Sequence, residues 1–205
     1  MEDFSTPSYF QEDLFDELPK DLKFGRTWIF IGHPLVSTPL HQDTFSTSAW
    51  LAMIKGTKVI RLVPPQYADS LNKKASLFDE KYIISLSGKD IPVFEVTIGR
   101  GDTLYIPGRW FHEVKNIDKN IMLTKNFLDK WNFINFTVKF EEKFNQPIKK
   151  IIEERRKFIK NHITDKHIYN EMQSFIPEGL NEGDKKLLAN AKSKEIYNDK
   201  STYGE

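Results

Sequence analysis

Between residues 26 and 128 the chain breaks into short runs of β-branched and aromatic residues, each stopped by Gly, Pro or Asp, with no long helical stretch between them. Strands at this spacing point to an antiparallel sandwich or barrel in which each strand buries one face. Residues 26–32 (RTWIFIG) form an aromatic-rich strand candidate. Residues 47–54 (TSAWLAMI) and 57–63 (TKVIRLV) flank Lys55-Gly56, which reads as a tight hairpin turn. Pro64-Pro65 ends the second of these runs, since proline cannot donate to a sheet ladder. Residues 66–74 read as a short surface helix. Residues 92–98 (PVFEVTI) alternate between faces, and residues 99–102 (GRGD) supply a turn. Residues 102–106, 111–116 and 120–127 complete the series of strands.

Beyond Trp131 the texture changes. Ile148, Ile151, Ile152, Phe158 and Ile159 recur at helical spacing among charges, which predicts an amphipathic helix. Residues 161–176 and 185–196 read as further helices, and 199–205 as a flexible tail. The expected organisation is therefore a barrel over residues 1–130 and a helical region over 131–205.

The chain contains no cysteine, which excludes disulfides, thiolate metal sites and a thiol nucleophile. Any metal must be held by nitrogen and oxygen. A formal net charge of +1 gives no global attraction to nucleic acid or membrane. The basic run at 149–166 reads as the solvated face of a helix. The start, Met1-Glu2-Asp3-Phe4, is acidic and lacks an apolar stretch, and no run approaches the roughly 20 apolar residues that span a bilayer. A cytoplasmic or nuclear protein is expected.

His41-Gln42-Asp43 carries the chemistry. Residues two apart on a strand share a face, so this spacing sets an imidazole beside a carboxylate. A distant His112 can complete three ligands on one side of a metal. Two histidines and a carboxylate leave open positions and suit non-haem Fe(II). An HxD alone is a common pattern, and its neighbours decide the matter.

Those neighbours fall in ordered blocks: residues 9–15 (YFQEDLF), 37–43 (STPLHQD), 47–50 (TSAW), 54–58 (IKGTK) followed by Pro64-Pro65, 101–107 (GDTLYIP), 110–112 (WFH) and 123–127 (LTKNF). Together they resemble the JmjC branch of the cupin-fold 2-oxoglutarate oxygenases, closest to its small protein-hydroxylase members. The resemblance implies a double-stranded β-helix, or jelly-roll, with C-terminal helices, and Fe(II) and 2-oxoglutarate as cofactors. It implies His41, Asp43 and His112 as iron ligands and catalytic centre. It also implies Lys58 and Thr38 as partners of the far carboxylate of 2-oxoglutarate, with Thr124 and Asn126 as polar positions lining the pocket. A buried dianion does need a cation and hydroxyl donors. Read alone, Lys58 could be an exposed hairpin lysine, Thr38 a turn residue, and Thr124 and Asn126 solvent-facing on an edge strand.

The implied activity is hydroxylation of a protein or peptide side chain, lysine first, with O₂ as co-reactant. Demethylation of an N-methyl group by the same chemistry is the second reading, and a non-catalytic metal-binding scaffold the third. Leu51 motivates the third, because the resemblance implies an asparagine of the cosubstrate pocket at this position. Trp28, Phe30, Trp50, Tyr105, Trp110 and Phe111 read as core rather than as a base-stacking surface, with Tyr105 and Trp110 as candidates for the mouth of the cleft. The resemblance also implies a homodimer through the C-terminal helices; charge and composition give no reason to expect a membrane or nucleic-acid partner.

Overall fold

The computed structural model describes residues 4–144, apart from Pro19, Asp21, Leu22 and Leu35. The helices expected from residue 148 onward, the basic run and the tail lie outside the described residues, and with them the predicted dimer surface. By its contacts the chain divides into one unit, Met1–Asn132, and a second, Phe133–Glu205.

Among the described residues the first unit holds eight strands: β1 (Thr27–Gly32), β2 (Ser37–His41), β3 (Ser48–Lys55), β4 (Lys58–Val63), β5 (Phe94–Ile98), β6 (Thr103–Ile106), β7 (Phe111–Asn116) and β8 (Asn120–Phe127). They form two four-stranded sheets, ordered β1-β8-β3-β6 and β2-β7-β4-β5, and every pairing is antiparallel. This is the mainly-β, jelly-roll arrangement that the strand spacing and the resemblance imply. The sheets pack face to face on one apolar core, with Ala49, Leu51, Met53 and Met122 from the first sheet and Ile60, Leu62, Ile98 and Val114 from the second.

The hairpin expected at Lys55-Gly56 does not form. β3 lies in the first sheet and β4 in the second, so the link is a corner between layers. Gly56 takes it with φ +80°, pressed against Asp118 and the Lys119 carbonyl, where a side chain would collide. The two strands bury their apolar faces against each other across the sandwich rather than side by side.

Residues 64–93 cover the outer face of the second sheet. Pro65–Ser70 is a 3-10 segment where a short helix is expected, and α1 (Glu80–Ser87) follows. Asp79 caps α1 by accepting from the Tyr82 N–H at 3.1 Å. Leu71, Leu77, Leu86 and Ile91 pack on Leu40, Val63 and Phe111. Buried Glu113 pins the excursion by accepting from Ser76 Oγ (2.8 Å) and the Leu77 N–H (2.5 Å).

The N-terminal lead-in covers part of the first sheet. Phe10 packs with Trp50, Leu123 and Phe127. Buried Asp13 pairs with Arg26, lies 3.3 Å from Lys125 Nζ and accepts from the Leu128 N–H at 3.1 Å. β1 departs from the expected aromatic core: Trp28, Ile29, Phe30 and Ile31 are all exposed, because β1 is the last strand of its sheet. In the second unit, α2 spans Phe133–Phe144, and no helix among the described residues is long and apolar enough to cross a membrane.

Candidate metal centre

Two strands of the second sheet and one loop build the site. His112 is the second residue of the interior strand β7, and it lies opposite His41, the last residue of the outer strand β2. The strand ends at His41, so Asp43 is not on a regular strand as the sequence reading assumed. Its backbone stays extended (φ −64°, ψ 151°), which carries the alternation two residues further and keeps its carboxylate beside His41. One ligand atom from each of His41, Asp43 and His112 lies within 4.8 Å of the others.

The protonation pattern favours a cation. His41 Nδ1 lies 2.7 Å from the Pro39 carbonyl and His112 Nδ1 lies 3.2 Å from the Trp110 carbonyl. A carbonyl only accepts, so each Nδ1 carries a proton and each Nε2 is the ring atom left for a metal. Burial pushes the His112 pKa down to about 4, helped by the His41 ring beside it and opposed by the Trp110 bond. His112 is therefore a neutral donor at pH 7. Burial raises the Asp43 carboxyl, while His41 and the Asn126 amide pull it back. Asp43 Oδ2 is buried with no hydrogen-bond partner, a costly arrangement for a carboxylate unless a cation meets it. Two imidazole Nε2 atoms and an orphaned carboxylate oxygen fit a divalent ion with oxygen and nitrogen preference.

The triad opens into a cavity of about 210 Å³ between the sheets. Thr38, Lys58, Thr124 and Asn126 all line it, together with Leu51, Trp28 and Phe30. The exposed-hairpin reading of Lys58 is thus wrong: the side chain is 4% exposed, and burial without an opposite charge lowers its pKa. Thr124 and Asn126 are buried on β8, an interior strand, and not on an edge. Thr38 is solvent-exposed on outer strand β2 but still faces the cavity. Thr124 spends its proton on the Trp50 carbonyl (2.9 Å), and Asn126 donates to Thr47 Oγ1 (2.7 Å). Leu51 is the register partner of Thr124, so this wall offers a methyl surface where an amide donor is expected.

Tyr105 and Trp110 do not line the cavity. Tyr105 stacks near Phe10 on the outer face of the first sheet, and Trp110 packs on Phe94 and the core. Trp28 and Phe30 hold the mouth instead. Sequence reading missed this pair as mouth residues, although their two-residue spacing on an outermost strand is the signal that places both on one face. Asn116 was missed as well: its Oδ1 accepts from Lys58 Nζ at 2.8 Å. It is the register partner of Lys58 on β7.

Comparison with known proteins agrees with this geometry. The family model of a cupin-like domain matches residues 1–132. The lysine-specific demethylase JMJ21 of Arabidopsis thaliana is 30% identical over 148 residues, covering 65% of this chain and 16% of that protein. The bifunctional arginine demethylase and lysyl-hydroxylase psr-1 of Caenorhabditis elegans is 30% identical over 141 residues, 62% of this chain and 35% of its own length. The 2-oxoglutarate and iron-dependent oxygenase JMJD4 of Danio rerio is 25% identical over 139 residues, 63% and 33% respectively. The chain thus spans no more than 35% of any of these three relatives. On its match, its two-sheet barrel and its site, this chain belongs to the cupin-like domain family and groups with the JmjC members of that fold.

Proposed function

We propose that this domain is an Fe(II)- and 2-oxoglutarate-dependent oxygenase that hydroxylates a side chain of a protein or peptide, lysine being the first candidate. The observation that carries the reading is the pairing, in one cavity, of an orphaned buried carboxylate oxygen and two histidine rings with a buried lysine. Iron and 2-oxoglutarate, when bound, supply an oxidant that leaves succinate and CO₂ and inserts one oxygen atom of O₂ into a C–H bond.

The residues of this chain do the rest. His41, Asp43 and His112 hold the metal, and their single negative charge leaves the ion net positive toward an incoming dianion. Lys58 supplies the cation for the far carboxylate, and Thr38 a hydroxyl donor beside it. Asn126 faces Asp43 and fixes its orientation, while Thr124 lines the wall. Met122, Val114 and Ala49 keep the cavity apolar, so water competes poorly with the cosubstrate. Trp28 and Phe30 meet the protein or peptide substrate at the mouth. The relatives named for lysyl hydroxylation and for iron and 2-oxoglutarate dependence support the same chemistry.

The test is spectroscopic. Anaerobic Fe(II) and 2-oxoglutarate together should give the weak visible charge-transfer band of the chelate, and O₂ should then yield succinate. Absence of both overturns the proposal. With candidate peptides, mass spectrometry separates gain of one oxygen (hydroxylation) from loss of a methyl (demethylation). Metal binding with no 2-oxoglutarate affinity supports the scaffold reading, which the methyl wall at Leu51 favours.

A further inference from the structure

Lys58 does not stand free in the cavity. Its Nζ donates to Asn116 Oδ1 at 2.8 Å, between the first residue of β4 and the last residue of β7. Asn116 is 6% exposed and held from three sides. Its Nδ2 donates to the His33 carbonyl at 3.0 Å, its backbone N–H donates to the Val36 carbonyl at 3.1 Å, and its Oδ1 meets the ammonium. The amide has only one orientation here, because an ammonium only donates and a carbonyl only accepts. Gly32 makes the space: a Cβ there would stand 2.5 Å from Asn116 Nδ2.

The choice of asparagine has a chemical consequence. A neutral acceptor takes one of the three ammonium protons and leaves the full positive charge, with two N–H groups, for the cavity. An aspartate in its place would neutralise Lys58 and repel an incoming carboxylate. A residue without an acceptor would let the flexible four-carbon stem wander.

We propose that Asn116 is the positioning residue for Lys58, aiming its ammonium at the far carboxylate of a dicarboxylate chelated at the metal centre. Asn116 thereby sets the preference for a chelator that carries a far carboxylate over a short one that lacks it, without touching either. The inference rests on the cosubstrate reading above.

Its test uses the whole chain loaded with Mn(II), which is redox-silent, and two probes: 2-oxoglutarate, which carries the far carboxylate, and oxalate, which chelates but lacks it. Losing a charged hydrogen bond that orients the ammonium should make Asn116→Ala bind 2-oxoglutarate about tenfold more weakly, and Asn116→Asp about a hundredfold. Oxalate should shift less than about twofold in either variant, because it does not reach Lys58. In a Lys58→Met background, Asn116→Ala should change 2-oxoglutarate affinity by less than about twofold.

Parallel loss of oxalate and 2-oxoglutarate would mean a general structural role and overturn the inference. So would an equal cost of Asn116→Ala with and without Lys58. If the unaltered protein binds oxalate but not 2-oxoglutarate, the cosubstrate reading itself falls and takes this inference with it. If it binds both and the variants match it, only the positioning role falls.

Discussion

His41 lies directly across from His112 because β2 carries one residue more than β7 between Thr38 and His41. In the regular register that begins at Ser37 opposite Lys115 and Thr38 opposite Val114, Leu40 would meet His112. The bulge at Pro39-Leu40 shifts the strand by one. It also lets Thr38 and His41, three residues apart, both face the cavity, where an unbroken strand would turn them to opposite sides. Proline is tolerated there because β2 is the outermost strand of its sheet.

Asp43 should be costly to the metal-free protein and essential to the loaded one. Asp43→Ala removes a buried oxygen without a partner, so the metal-free variant should melt higher than the unaltered protein. The unaltered protein should gain about 2.7 kcal/mol from Mn(II) at about a hundred times its dissociation constant, and the variant almost none. Thermal melts with and without Mn(II) decide it. A variant that still gains stability from the metal would remove Asp43 from the ligand set.

Leu51 can be tested by restoring a donor. Leu51→Asn places an amide opposite Thr124, whose own proton is already spent. Affinity for 2-oxoglutarate should rise about tenfold, the scale of one added hydrogen bond to a charged group. The ligand-free protein should lose about 1–3 kcal/mol for burying the amide. Titration followed by tryptophan fluorescence reads the first effect and chemical denaturation the second.

A pH effect should arise away from the metal. Burial raises the Asp129 carboxyl, against donors from the Trp131 and Asn132 N–H groups and from Ser48 and Tyr105. A carboxyl raised in the fold contributes stability that is full below its unfolded pKa and is lost as pH rises through the folded value. Asp129→Asn keeps an acceptor for the two backbone N–H groups and removes that loss. Denaturation midpoints between acid and neutral pH should fall less steeply in the variant, and a parallel profile would contradict this origin.

Trp28 and Phe30 should matter to the substrate and hardly to the fold. They are 41% and 44% exposed, so alanine at either position should cost little stability. Mn(II) and 2-oxoglutarate affinities should stay within about twofold, because neither residue is placed among their ligands. Peptide-stimulated succinate formation should lose apparent affinity about tenfold for each aromatic removed. Loss of cosubstrate binding in these variants would move the pair from the mouth to the cosubstrate pocket.

Much of this was legible in the sequence, for a local reason. A strand such as β5 announces itself through apolar residues two apart, Phe94, Val96 and Ile98, ahead of a turn, and the ligand motif is local in its first half. The Lys55-Gly56 corner was misread because hairpin turns and inter-sheet corners use the same residues, and only the long-range pairing of β3 with β8 and of β4 with β7 tells them apart. α1 was overlooked although Asp79 and Gly88 mark its two ends, because eight residues make a weak helical period. Asn116 was invisible for a different reason. Its role exists only through a partner 58 positions away in the chain, and asparagine at the end of a strand looks like a turn residue.

The composition of β1 has a colloidal consequence. Thr27-Trp-Ile-Phe-Ile-Gly32 contains no charge and no proline, the usual deterrents to strand addition, and among the described residues its one strand neighbour is β8. Ile29 and Ile31 on one side and Trp28 and Phe30 on the other remain in water. Such a border is adhesive in proportion to how often molecules meet. Light scattering by this chain should therefore grow faster than linearly with its concentration, and a single lysine at Ile31 should restore proportionality before it alters any event at the metal.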